Sequence, residues 1–292
     1  MSTGNWGRWG PEDENGALNI VTPAMTRSAA ELVRSGLTFS LAQPLGPQTP
    51  QTPHRRPPSR WMDRDAGDYA LGARAPGGFK FAEDTVQFPV HSGTHVDALA
   101  HAWSGDELYN GHAASATRTT RGAQRCGADK LRPVLTRGVL VDVAALRGRA
   151  LGASEPIGVD DLRAGVAQAD VEIGPGDAVL LRTGWAGSRG GEAGYFADEP
   201  GLDEAGAAWL AERDVVLVGA DNYAVERQSQ DPGFPVHLLL LHRHGIPLLE
   251  NLQLDELAGA LAEQRRSTFL FVFAPLPLVG STGSPVNPLA VL

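Results

Sequence analysis

Four short apolar runs limit how this chain can fold: 138–143 (GVLVDV), 178–183 (AVLLRT), 215–220 (VVLVGA) and 267–273 (STFLFVF). Each is short and rich in β-branched or aromatic residues, the pattern of a buried strand. Segments with helical spacing lie between them, at 159–168, 203–213 and 254–264. Helices alternating with buried strands predict an α/β layer structure. No interdomain linker or internal repeat interrupts the pattern, so residues 1–292 read as one domain, long enough to bury a sizeable core.

Upstream, Thr22 is placed to cap a helix with Pro23 in its first turn, running over 24–35 and ended by Gly36. Residues 38–42 read as a short strand. The Pro-, Gly- and Arg-rich stretch 43–80 is long for a loop inside a domain and is a candidate lid. Residues 1–20 form an N-terminal arm carrying Trp6 and Trp9 but no core of its own. Such aromatics pack on the body of the chain or on a neighbour. The expectation is a homodimer or homotetramer with the arm at or near the interface.

Charge narrows the partners. Thirty-four acidic against 25 basic residues give a net charge of −9, which disfavours a nucleic-acid surface. The basic groups His54-Arg55-Arg56 and Arg118 to Arg125 sit among Pro, Gly, Ser and Thr and read as solvated loops. No run approaches the ~20 apolar residues of a membrane span, and no signal pattern opens the chain, so a cytoplasmic location is expected. The single cysteine, Cys126, excludes an internal disulfide and reads as a passive, partly buried thiol.

The chemistry concentrates in HSGTHVDALAH, residues 91–101, which holds three of the eight histidines. If 91–97 is extended, His91, His95 and Asp97 share one face, and Gly93 leaves a gap between them. If a helix starts at Asp97, His101 lies one turn on, beside the same site. Two imidazoles and a carboxylate suit Zn²⁺, Mn²⁺ or Fe²⁺ with positions left open, whereas histidines merely packed in a core would not need this spacing. A divalent ion acidifies bound water and polarises a carbonyl, and His101 can move the proton: hydrolase chemistry. The same set serves Fe(II) oxygenases, but no cosubstrate anchor is visible.

HSGTHVDALAH resembles the H-x-G-T-H-x-D-x-x-x-H signature of the metal-dependent cyclase family, which includes kynurenine formamidases, isatin hydrolases and some polyketide cyclases. The resemblance continues in Trp9-Gly10, Gly16-Ala17-Leu18-Asn19, Leu108-Tyr109-Asn110-Gly111, Gly176 to Leu180, Phe234 to His237, Gly245 to Leu252 and the C-terminal PLPLVGSTGSPVNPLA. It implies a swivelling β/β/α fold with a mixed sheet, assembled as homodimers or larger oligomers. It also implies His91, His95 and Asp97 as ligands of a first Zn²⁺ or Mn²⁺. In the formamidase branch a second ion uses residues matching His101, His237 and Glu250; in the isatin hydrolase branch one ion is bound and His101 is the base. Leu99 stands where short formamidases have proline.

The implied activity is hydrolysis of a C–N bond in an amide, formamide or cyclic imide or lactam of an aromatic small molecule, with one or two divalent ions. His101 and Glu250 are the candidate proton-transfer groups and His237 is a further candidate ligand. Trp103 is placed either to floor an aromatic pocket or to pack in the core. Glu250 alternatively reads as an exposed strand-end carboxylate, and His242 and His244 as surface residues. The rival functions are a polyketide-type cyclase or dehydratase using the same ion, and a non-catalytic metal-dependent binding protein.

Overall fold

The computed structural model describes residues 4–189, 194–196, 198–228 and 233–292. Nine strands form one large mixed sheet and are numbered here in chain order: β1 (Thr38–Ser40), β2 (His95–Asp97), β3 (Val134–Asp142), β4 (Ala178–Arg182), β5 (Leu217–Ala220), β6 (Leu248–Glu250), β7 (Thr268–Phe273), β8 (Gly283–Pro285) and β9 (Leu289–Val291). Their spatial order is β1-β9-β7-β3-β4-β5-β6-β2-β8. The centre, β3 to β6, is parallel, and the flanks are antiparallel. This is the α/β architecture with a mixed sheet that the chain was expected to form.

Central strands read as continuous apolar runs because helices cover a parallel sheet on both faces. All four residues of β5 and the first four of β4 are accordingly buried. The longer helices are α1 (Pro23–Ala30), α2 (Val159–Gln168), α3 (Glu204–Ala211) and α4 (Asp255–Glu263). Thr22 caps α1 by accepting from the Met25 N–H. The helix stops at Ala30, short of the expected Ser35, because the Ser35 and Gly36 N–H groups are taken by the carbonyl of Leu292 beyond β9. No helix among the described residues is long and apolar enough to cross a membrane.

The stretch 43–80 is more ordered than a bare loop. Residues 59–64 pair antiparallel with 83–87, and a short helix, Ala66–Ala70, sits between them. Asp65 and Asp68 close that helix with a reciprocal capping box. Nearly every side chain of the hairpin is exposed.

The arm docks on its own chain. Trp6 donates from its indole N–H to the His242 carbonyl at 2.7 Å and meets the His242 ring edge-on. Arg8 pairs with Asp214, and the Asn5 N–H bonds the Arg243 carbonyl. Covering Trp6 therefore needs no second subunit. His242, expected at the surface, is buried beneath this contact.

Candidate metal centre

Strand β2 is only three residues long, yet it sits between β6 and β8 and carries the centre of the site. His95 pairs in register with Glu250 of β6, and Asp97 with Leu248. Paired residues in an antiparallel ladder share a face, so His95, Asp97 and Glu250 all project to one side. Glu250 is thus buried, not an exposed strand-end carboxylate.

His91 reaches the same place by another route. Residues 91–94 form a turn, not the extended segment expected, with Gly93 at φ +56. A Cβ there would touch Thr49 and Leu45, so Gly93 provides a backbone conformation rather than a gap for an ion. The turn brings His91 Nδ1 within 2.7 Å of Asp97 Oδ1, and His91 Nε2 bonds Thr282 at 3.0 Å. Nor does a helix begin at Asp97. A turn closed by the His101 N–H on the Ala98 carbonyl carries His101 back, Nε2 lying 3.8 Å from Asp97 Oδ2.

The sixth member comes from far along the chain. His237, in the short helix Pro235–His237, places Nε2 3.7 Å from Asp97 Oδ2 and 3.5 Å from Glu250 Oε1. Its orientation is set by Glu226, which accepts from the Val236 and His237 N–H groups and lies 2.6 Å from His237 Nδ1. Nothing in the sequence around Glu226 marks it for this duty. The other five site histidines and carboxylates named from the sequence, His91, His95, His101, His237 and Glu250, therefore converge on Asp97.

The donor geometry fits a divalent cation. His95 Nδ1 is engaged by the Gly93 carbonyl at 2.9 Å, leaving Nε2 buried and without a hydrogen-bond partner, although it lies 3.1 Å from Glu250 Oε2. Asp97 Oδ2 is likewise buried and unpartnered. Two donor sets share Asp97, one with His91 and His101, the other with His95 and Glu250, the atoms of each lying within 4.8 Å of one another. Imidazole and carboxylate donors of this kind suit Zn²⁺ and Mn²⁺ alike.

Electrostatics show the same demand for positive charge. Burial disfavours a cation at His95, but Glu250 and Asp97 hold its pKa up to about 10. Burial also opposes ionisation of Asp97, yet His101 and His91 keep its carboxyl well below the usual range. His101 behaves differently: burial pushes it down to about 4 despite Asp97, so it stands neutral at pH 7.

A cleft of about 470 Å³ opens onto this cluster, with His101, His237 and Glu250 in its wall. Trp103, Tyr223 and Phe234 line it too, so Trp103 faces a pocket rather than the core. Arg55 completes the lining, in contrast to the solvated loop expected of His54-Arg55-Arg56; its flanking prolines gave no hint of this. At the end of β5, Asp221 accepts from the Thr183 and Gly184 N–H groups and fixes the turn that follows β4. Cys126 is fully buried, its thiol pushed up to about 12 by burial, and chemically passive.

Comparison with known proteins places these features in context. A family model described as cyclase matches residues 39–227. The crystal structure of a novel cyclase superposes with a TM-score of 0.94 at 35% identity, covering 99% of both chains. Isatin hydrolase of Roseibium aggregatum is 28% identical over 229 residues, 73% of this chain and 75% of that protein. The fold also matches isatin hydrolase A from Labrenzia aggregata bound to benzyl benzoate, with a TM-score of 0.66 at 21% identity over 90% of this chain and 94% of that one.

Proposed function

The chain belongs to the cyclase family, and on that premise we propose that it is a metal-dependent hydrolase that cleaves a C–N bond in an amide, formamide, cyclic imide or lactam of an aromatic small molecule. The observation that carries this reading is the convergence of His91, His95, His101, His237 and Glu250 on Asp97 at the wall of a cleft with aromatic sides. The relative named for hydrolysing isatin supports the bond class.

His91, His95 and Asp97 would hold a Zn²⁺ or Mn²⁺ ion, with Glu250 and His237 completing its surroundings. Bound there, such an ion supplies Lewis acidity that polarises a carbonyl and lowers the pKa of water from ~15.7 towards ~7. The chain's own groups do the rest. Trp103, Tyr223 and Phe234 sandwich the ring and exclude water from one side of the scissile bond. Neutral His101 takes a proton from the attacking water and returns it to the leaving nitrogen, converting a poor amide leaving group into an amine. Glu226 keeps His237 in one tautomer by holding its Nδ1 proton.

The test is elemental analysis joined to a substrate screen. Purified protein is expected to carry a divalent ion, to lose it in His95→Ala, and to hydrolyse at least one of N-formyl aromatics, isatin or cyclic imides. No ion after reconstitution removes the metal reading. An ion without turnover of any of these would shift the site to carbonyl condensation or to binding alone.

A further inference from the structure

Among the described residues, the cleft is lined by one arginine, and the hydrolytic machinery does not use it. Arg55 donates through Nη1 to the carbonyl of His91 and lays its guanidinium 5.3 Å from the centre of the Tyr223 ring. Among the described residues no carboxylate pairs with it. Asp97 faces His91 and Glu250 faces His95 rather than Arg55. Arg55 is half-buried in a chain whose net charge is −9, so acidic partners were available to it elsewhere.

A guanidinium carries five N–H donors in a planar fork that fits a carboxylate through two parallel hydrogen bonds. In Arg55 one N–H is spent on the His91 carbonyl, and the group lies over the Tyr223 ring. The arrangement leaves further donors for a ligand in a cleft whose other walls include Trp103, Phe234, His101, His237 and Glu250. A ligand that satisfies all of these surfaces has an aromatic ring, a hydrolysable carbonyl and an anionic group apart from that carbonyl.

We propose that Arg55 is a specificity-determining residue that selects aromatic amides or lactams bearing a carboxylate, holding that carboxylate while the scissile carbonyl faces the Asp97 cluster. The proposal rests on the hydrolase reading of this cleft and deepens it by naming the substrate class. Arg55 takes no part in bond cleavage. Its contact with the His91 carbonyl is the competing explanation, since a pure brace would serve neutral and anionic substrates equally.

The experiment compares matched ligands on metal-loaded wild type, Arg55→Met and Arg55→Lys. N-formylanthranilate and N-formylaniline serve as substrates; benzoate and benzamide serve as binding probes, followed by calorimetry. Wild type is expected to favour the anionic member of each pair by about 10- to 100-fold, as a charge-assisted pair permits. Arg55→Met should erase the preference, the ratio cancelling any loss common to both substrates through the His91 contact, and Arg55→Lys should restore part of it. Where turnover is seen, its ratio decides. An anionic preference that survives in Arg55→Met, or an equal loss for both substrates, overturns the proposal and leaves the hydrolase reading standing. If neither substrate turns over, the binding ratio decides: an Arg55-dependent preference for benzoate upholds the selection, its absence overturns it, and the hydrolase reading is judged separately by the wider screen with isatin and cyclic imides.

Discussion

His101 lies where two duties are open to it. Its Nε2 is 3.8 Å from Asp97 Oδ2, and it belongs with His91 and Asp97 to one of the two donor sets. Burial keeps the imidazole neutral, which suits a base and a ligand equally. Metal content separates them. As a base, His101→Ala retains one ion per chain while kcat falls by roughly 10²–10⁴. Two ions in wild type, dropping to one in His101→Ala or Glu250→Ala, would make it a ligand. Asp221 allows a sharper statement about pH. Burial raises its pKa to about 6 although Thr183 and Gly184 hydrogen-bond the carboxylate, whereas in the unfolded chain it ionises near ~3.9. Between those values the folded state binds more protons than the unfolded one, so this residue's contribution falls as pH rises through the window, by up to about 3 kcal/mol. The unfolding free energy of wild type minus that of Asp221→Asn should therefore be more favourable at pH 4 than at pH 7. A difference that stays flat across those pH values in urea titrations refutes the assignment.

Strands β3 and β7 show how one missing side chain sets the packing of an element. Gly138 pairs with Phe269, and a Cβ added there would lie 2.2 Å from the Phe269 ring, which is fully buried. Gly138→Ala should cost about 1–3 kcal/mol, the range for overpacking a filled core. A urea midpoint unchanged from wild type would show that the ring simply moves aside. Elements of this kind were legible in the sequence: the runs at 138, 178, 215 and 267 became β3, β4, β5 and β7, and all three intervening helices formed. Their signal is burial periodicity, which is local. The route from His91 to His101 was legible only in its outcome. The ligand types and spacing were right, but turns replaced both the strand at 91–94 and the helix from Asp97. Those turns depend on Thr49, Thr282 and the Cys126 carbonyl, all supplied by distant segments. The register that puts Glu250 opposite His95 joins residues 155 positions apart, and Glu226 and Arg55 likewise act through tertiary contact that no local pattern encodes.

Across the whole molecule the exposed apolar area gathers on the hairpin of residues 59–87, not on the arm. Trp61, Met62, Leu71, Phe79, Phe81 and Val86 are all exposed there, Leu71 to 92% and Phe79 to 69%. A two-stranded hairpin is marginal by itself in water, and a patch of this size marks a contact surface. We propose that a second copy covers it, so that the expected homodimer forms through this hairpin while Trp6 of the arm serves the fold of its own chain. The hairpin carries four basic and five acidic side chains, so apolar contact rather than charge holds the pair. Light scattering at micromolar concentration should report a dimer that persists as salt is raised, because apolar burial is not screened. The double variant Trp61→Ser with Phe79→Ser should be monomeric with an unchanged urea midpoint, since neither side chain packs in the core. A wild-type monomer, or a dimer indifferent to both substitutions, would move the interface off the hairpin altogether.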